Sequence, residues 1–216
     1  MSTVAVIDYG MGNLHSVAKA LEHAKPDVSI QVTADHATIL QADHVVLPGV
    51  GAIRDCVGEI RRLGLDQLVQ QIVDSGKPLL GVCVGMQVLM TFSEENNGTD
   101  CLGILPGQVK YFGENLIDPA SDTRLKIPHM GWNQVHQLDQ HPLWEGISQD
   151  DRFYFVHSYY VKPDDTKLTT AETHYGFNFT AAITHNNVFA VQFHPEKSQH
   201  AGLRLYKNFL NWDGKS

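Results

Sequence analysis

The stretch Lys77-Pro-Leu-Leu-Gly-Val-Cys83-Val-Gly-Met-Gln87-Val-Leu-Met90 decides how this chain is read. A short apolar run gives way to Gly-x-Cys-x-Gly and then to a segment rich in Val, Leu and Met: strand, sharp turn, helix. This is the nucleophile-elbow pattern, with cysteine where hydrolases usually carry serine. So sharp a turn crowds the backbone, and Gly81 and Gly85 stand where a Cβ is hardest to fit. The turn sets Cys83 Sγ at a helix N-terminus, whose unpaired N–H groups and dipole favour a thiolate. A buried cysteine in a core strand has the same local composition, because free Cys is among the most buried residue types. Choosing between the two needs partners elsewhere in the chain.

Upstream of the elbow, short β-branched runs alternate with helical patterns. Residues 3–8, 29–33 and 44–47 are expected as strands, 14–24 and 65–73 as helices, and 78–82 as the strand entering the elbow. Such alternation implies a mostly parallel sheet covered on both faces. Downstream, residues 109–112, 133–138, 152–161, 168–172, 180–184 and 188–193 look strand-like with little helix between them. His185-Asn186-Asn187 is expected as a hairpin turn. A closing helix over 202–211 offers Leu203, Tyr206, Phe209 and Leu210 as its apolar face. No repeat, low-complexity tract or Pro/Gly-rich linker interrupts the chain, so one domain over 1–216 with a mixed sheet is expected.

Composition narrows the function classes. Sixteen Lys and Arg against 24 Asp and Glu give a net charge of -8, which argues against nucleic-acid binding. No apolar run approaches the roughly 20 residues of a membrane span. The N-terminus lacks the basic region of a signal peptide. Three widely spaced cysteines suit a reducing compartment, and the expectation is a cytoplasmic protein.

A nucleophilic cysteine needs a base, and the base needs an orienting group. His194-Pro-Glu196 supplies both directly after an apolar strand, because residues i and i+2 of an extended segment point to one side. Glu196 then holds the imidazole in one tautomer and stabilises the imidazolium beside a Cys83 thiolate. Most of the 12 histidines are expected to be surface or structural; His194 differs in its carboxylate neighbour and its place at a strand end, where open α/β sheets put their sites. Acyl chemistry also needs oxyanion donors. The N–H of Val84 is one candidate, and the turn Pro48-Gly49-Val50-Gly51 after a strand can present others. The zinc-deaminase reading of His-x-Glu fails for want of Pro-Cys-x-x-Cys. A dinucleotide reading of Gly10-Met-Gly12 fails for want of a third glycine.

Together, Gly81-Val-Cys83-Val-Gly-Met-Gln87, Pro48-Gly-Val-Gly51 and His194-Pro-Glu196 resemble the class I (Cys-His-Glu) glutamine amidotransferases. The resemblance runs from the first strand to the last helix. Three further segments, Ile7-Asp-Tyr-Gly-Met-Gly-Asn-Leu-His-Ser-Val17, Ile127-Pro-His-Met-Gly-Trp-Asn133 and Phe153-Tyr-Phe-Val-His-Ser-Tyr-Tyr160, are similar to one branch of that family. Its members supply ammonia to a separate (βα)8-barrel cyclase subunit in histidine biosynthesis.

The resemblance implies a flavodoxin-like amidotransferase fold with extra antiparallel strands in the second half. It implies hydrolysis of L-glutamine through a glutamyl thioester on Cys83, with His194 and Glu196 completing the triad and no metal or cofactor. It implies substrate contacts from Gln87, Glu95 and the backbone of His157, Ser158 and Tyr159. Trp132, Asn133 and Lys197 are implied near the cyclase interface. It also implies a glutaminase nearly silent until the cyclase binds its ligand, for which a turned Gly49–Val50 peptide offers a physical route. Other readings of the same triad are a glutaminase for a different synthase or a peptidase of γ-glutamyl bonds; a non-catalytic regulatory module is the reading from another class.

Overall fold

In the computed structural model, which describes residues 2–215, the apolar runs form the centre of a sheet. The first half of the chain lays down β1 (Thr3–Ile7), α1 (Leu14–Ala24), β2 (Ser29–Thr33), α2 (His36–Gln41), β3 (His44–Gly49), α3 (Ile53–Arg62), α4 (Leu65–Asp74), β4 (Leu79–Cys83) and α5 (Val84–Gln87). The second half adds β5 (Phe92–Ser93), β6 (Thr99–Asp100), β7 (Gly107–Tyr111), β8 (Ile117–Asp118), β9 (Thr123–Arg124), β10 (His129–Gln134) and β11 (His136–Gln137). It then adds β12 (Arg152–His157), β13 (Tyr159–Pro163), β14 (Thr169–Tyr175), β15 (Phe177–His185), β16 (Val188–Val191) and α6 (Gln199–Phe209).

Strands β2-β1-β3-β4-β16 run parallel in that order. This is the doubly wound order 2-1-3-4-5, with the fifth strand supplied from near the chain's end. Every residue of β3, β4 and β16 is buried, as expected of strands covered on both faces. The cover comes in two groups: α1 packs on α6, while α2 and α3 pack on α4. Beyond β16 the sheet turns antiparallel through β15, with β14 and β13 beside it and β7 on β13. The functional consequence is positional. Cys83 ends β4, held between β3 and β16 in the parallel block, opposite Gly49 at the end of β3, and Val82 pairs with Val191 at the end of β16.

Several sequence expectations need correction. The aromatic run 152–161 is not one strand. It breaks at Ser158, so β12 pairs with β10 in a separate two-stranded ribbon while β13 joins the main sheet. Aromatic residues serve both halves, which hides the break in composition. Residues 133–138 likewise split at Val135, whose N–H bonds to Asp151 O. Helix α2, capped by Asp35 on the Thr38 N–H at 2.8 Å, and helix α3 were not anticipated. The helix after the elbow is a single turn of four residues. Helix α6 starts at Gln199 and buries Gly202, Leu205, Tyr206 and Phe209; Leu203 is only half-buried.

Candidate active site

The elbow is strained where chemistry needs it. Cys83 sits at φ 55°, ψ -113°, a region that side chains adopt at a cost of roughly 1–3 kcal/mol. Packing enforces that conformation. A Cβ at Gly85 would lie 1.8 Å from Leu47 O, and one at Gly81 would lie 2.9 Å from the Ala190 Cβ. Only glycines let β3, the elbow and β16 approach so closely. Val84 opens α5, so its N–H has no partner within the helix.

Beside the elbow, the end of β3 is held by side chains from below. Tyr9 Oη donates to Pro48 O at 2.6 Å, and the Cys56 thiol donates to Val50 O at 3.4 Å. A Cβ at Gly49 would meet Tyr9 Oη at 2.6 Å and Gly85 N at 2.8 Å. Burial keeps both pins protonated: the Tyr9 phenol is pushed well above its usual range and the Cys56 thiol up to about 11. Val50, by contrast, is exposed.

His194 arrives from the end of β16 with its N–H bonded to Tyr154 O at 2.9 Å. Ser198 Oγ fixes the same backbone, donating to His194 O at 2.6 Å and accepting from Tyr154 N at 3.0 Å. Pro195–Lys197 is a 3-10 turn, so that turn, not an extended segment, brings Glu196 round to the ring. His194 Nδ1 donates to Glu196 Oε1 at 2.8 Å, and the two side chains are 3% and 1% exposed. The carboxylate therefore fixes the tautomer, leaving Nε2 buried and without a hydrogen-bond partner. Burial is the largest single influence on the ring and favours its neutral form. The neighbouring Cys83 and then Glu196 outweigh it, raising the His194 pKa to about 10. Next to a Cys83 thiolate, the imidazolium is the favoured form.

Cys83 and His194 open into one cleft of about 470 Å³. Val50, Gly51, Val84, Gln87 and Glu95 line it, with His157, Ser158 and Tyr159 on another wall and Lys197 at its margin. Glu196 stands behind His194, and Gly49 behind Val84. Glu95 already spends Oε2 on the Ile53 N–H at 3.0 Å, capping α3. Gln87 donates from Nε2 to both Tyr159 O at 3.1 Å and Gln192 Oε1 at 3.0 Å, so only its own oxygen remains for a ligand. Trp132 and Asn133 lie outside the cleft. Trp132 is exposed and meets Tyr154 edge-on at 6.1 Å, while Lys197 Nζ stands 5.7 Å over the Tyr154 ring. The Asn133 amide faces inward, donating to His129 Nε2 at 3.2 Å and His174 O at 2.8 Å.

Three residues escaped the sequence reading. Asn13 and Val156 line the cleft, and Gln192 donates to Cys83 Sγ at 3.8 Å. Alternation in the segment Gln192-Phe-His194 was a usable signal for the last, since it puts Gln192 and His194 on one side. Asn13 carries no comparable signal beyond its place in the opening motif.

Among the described residues no cluster of His, Cys, Asp and Glu is able to hold a metal ion. The arrangement offers instead a strained cysteine at the start of a helix and, in the same cleft, an imidazole oriented by a carboxylate, a pairing suited to nucleophilic chemistry. Comparison with known proteins gives the family. The family model for glutamine amidotransferase class-I matches residues 5–212. A Pseudomonas aeruginosa protein named imidazole glycerol phosphate synthase subunit HisH 1 is 57% identical over 215 residues, covering 100% of this chain and 99% of its own. A Nitrosococcus oceani protein named imidazole glycerol phosphate synthase subunit HisH is 56% identical over 216 residues, with 100% of both chains covered. Among solved structures, a chain of PurLQS from Thermotoga maritima superposes with a TM-score of 0.73 at 17% identity, covering 97% of this chain and 98% of that one, a likeness of fold alone. With an elbow cysteine, a His-Glu pair and full-length identity above one half, the chain belongs to the class-I glutamine amidotransferases and, within them, to the HisH subunits of imidazole glycerol phosphate synthase.

Proposed function

We propose that the chain acts as one amidotransferase domain over 1–216, hydrolysing L-glutamine to L-glutamate and ammonia for a separate (βα)8-barrel cyclase subunit. The observation that carries the chemistry is His194, held by the buried Glu196 carboxylate, opening with Cys83 into a single cleft. The Cys83 thiolate attacks the side-chain amide carbon. N–H groups of Val84 and of Gly49, Val50 and Gly51 receive the developing oxyanion, where one lost donor typically costs about 10²–10³ in rate. His194, as imidazolium, gives its Nε2 proton to the departing ammonia, leaving a glutamyl thioester. The now neutral ring takes a proton from water, which attacks the thioester and releases glutamate. Gln87 Oε1 and the free oxygen of Glu95 accept from the substrate ammonium, and the backbone of His157 to Tyr159 closes the pocket. The cleft volume falls in the ordinary range for small-molecule sites.

The partner reading is supported by what surrounds the cleft. Met130 and Trp132 are 61% and 43% exposed on the β10 ribbon, which β12 joins to the cleft wall. With Tyr154 and Lys197 they make an apolar and cationic rim suited to a subunit that takes ammonia before solvent protonates it. No helix among the described residues is long and apolar enough to cross a membrane, and we place the reaction in the cytoplasm. The test is glutamate production with and without the cyclase subunit and its ligand. Strong activation by that pair, abolished in Cys83→Ser, is expected. Full activity of the chain alone would remove partner control, and activity surviving in Cys83→Ser would remove the mechanism.

A further inference from the structure

Gln192 lies one residue past β16 and is 0% exposed, between Val191 and Phe193, which are equally buried. Its backbone N–H already continues the ladder to Ala181 O at 2.8 Å. The side-chain amide is thus a polar group added to a position that apolar residues occupy on either side. Burying an amide is costly unless it is bonded, and here its two ends meet Gln87 Nε2 at 3.0 Å and Cys83 Sγ at 3.8 Å.

Which end faces the sulfur follows from the network itself. Tyr159 O, a carbonyl, only accepts, so the Gln87 atom at 3.1 Å from it is the nitrogen. That nitrogen gives its second hydrogen to Gln192, so the Gln192 atom facing it is the oxygen. The other end of Gln192, the NH2, therefore points at Cys83. The anchor is rigid: Tyr159 O also accepts from His157 Nδ1 at 2.8 Å, and His157 Nε2 accepts from His129 Nδ1 at 2.9 Å.

We propose that Gln192 is a catalytic residue of this site, its amide N–H holding the Cys83 sulfur as the attacking anion. The proposal rests on the reading of Cys83 as the nucleophile. A thiol is a weak acceptor and a thiolate a strong one, so the bond strengthens as the proton leaves. Helix α5, a single turn, aligns few peptide dipoles behind Cys83, which leaves a side-chain donor more to supply. Near the sulfur His194 carries the positive charge, while the Tyr9 phenol and the Cys56 thiol stay neutral at pH 7. Gln192 and His194 are then complementary: one donates to the anion throughout, the other carries the mobile proton.

The test is alkylation of Cys83 by iodoacetamide at pH 7, read by peptide mass spectrometry apart from Cys56 and Cys101, alongside kcat and KM for glutamine in the cyclase complex. Gln192→Met keeps the length and removes the N–H. We expect alkylation and kcat to fall ~10-fold, with KM changed less than about threefold. Gln192→Glu keeps an acceptor for Gln87 but sets an oxygen against the sulfur, and we expect a larger loss. Either variant with both rates within about twofold of wild type overturns the proposal. Should the Met variant lose its fold, the Glu variant, which retains the Gln87 bond, decides. Failure of the nucleophile reading looks different: wild-type Cys83 would then react no faster than Cys56 or Cys101.

Discussion

Two buried histidine pairs sit close together in this fold and behave in opposite ways. His194 and Glu196 meet at 2.8 Å; His129 and His157 meet at 2.9 Å. All three imidazoles are almost wholly buried, and in each burial is the largest influence, pushing toward the neutral ring. For His129 and His157 nothing outweighs it, and their pKa values fall to about 4 and about 3. Their hydrogen bonds are satisfied without charge. The Asn133 amide donates to His129, His129 to His157, and His157 to Tyr159 O. For His194, Cys83 and Glu196 reverse the sign and raise it to about 10. Burial therefore does not separate a structural histidine from a reacting one; the chemistry of the partner does.

The comparison breaks most visibly if the carboxylate is neutralised. Glu196→Gln keeps the shape and a hydrogen-bonding oxygen but removes the charge, turning the first pair into something like the second. We expect kcat/KM of the partner-activated enzyme to fall about 10³–10⁴-fold, the size of loss seen when a triad carboxylate becomes an amide. The upper edge of the pH–kcat profile, where His194 loses the proton it gives to ammonia, moves to lower pH at the same time. A variant retaining more than about a tenth of the activity would show that Cys83 alone charges the ring.

How much of this was legible in the sequence follows from the physics of each part. The parallel core was, because strands buried on both faces cannot hide: 44–47 and 78–82 are continuous apolar runs. The elbow was legible as well, since Gly81, Cys83 and Gly85 make sense only in a turn too tight for side chains. Helix α3 was missed although Ile53, Cys56, Val57 and Ile60 mark one face, because the charges of Arg54, Asp55, Glu59, Arg61 and Arg62 dominate its composition. The break at Ser158 was hidden because aromatic residues pack equally well in the ribbon and in the sheet. Gln192 was passed over for a different reason. A buried amide declares itself only through its partners, and those partners are 105 and 109 residues away in the chain.

The two pairs should also fail at opposite ends of the pH scale. Folded His194 holds its proton to about 10 and an unfolded histidine to about 6.5. Its contribution to stability is complete below 6.5 and is lost as pH rises toward 10. His129 and His157 run the other way: the unfolded chain takes protons near 6.5 while the folded one refuses them, so stability is lost as pH falls toward 4. His141, lowered to about 4, and His44, also lowered, add to this acid limb. Each such group contributes a slope of up to about 1.4 kcal/mol per pH unit between its two pKa values. Urea unfolding at pH 7, 6 and 5 is the measurement for the acid limb, with pH 8 and 9 added for the alkaline one. His157→Gln, with a donor and an acceptor but no titration, should flatten the acid slope by about one group's share while leaving the loss above pH 8 untouched. An unchanged acid slope would mean that this pair already titrates normally.

The smallest expected effect sharpens the carboxylate's side of the contrast. Glu196 Oε2, the oxygen not given to His194, has Tyr206 Oη at 3.5 Å, the outer limit of a hydrogen bond. Tyr206 is wholly buried, and burial, followed by the nearby Glu196, pushes its phenol far above the usual range, so it remains a neutral donor at every working pH. A long bond to a carboxylate already held through its other oxygen contributes little, and Tyr206→Phe is expected to lower kcat only about two- to threefold. Its unfolding free energy should stay within ~1 kcal/mol of wild type, since the ring still fills its place in α6. If Tyr206→Phe instead costs as much as Glu196→Gln in the same assay, the carboxylate is placed by the phenol rather than by the 3-10 turn. The charged pair would then have to be counted as a triad of His194, Glu196 and Tyr206.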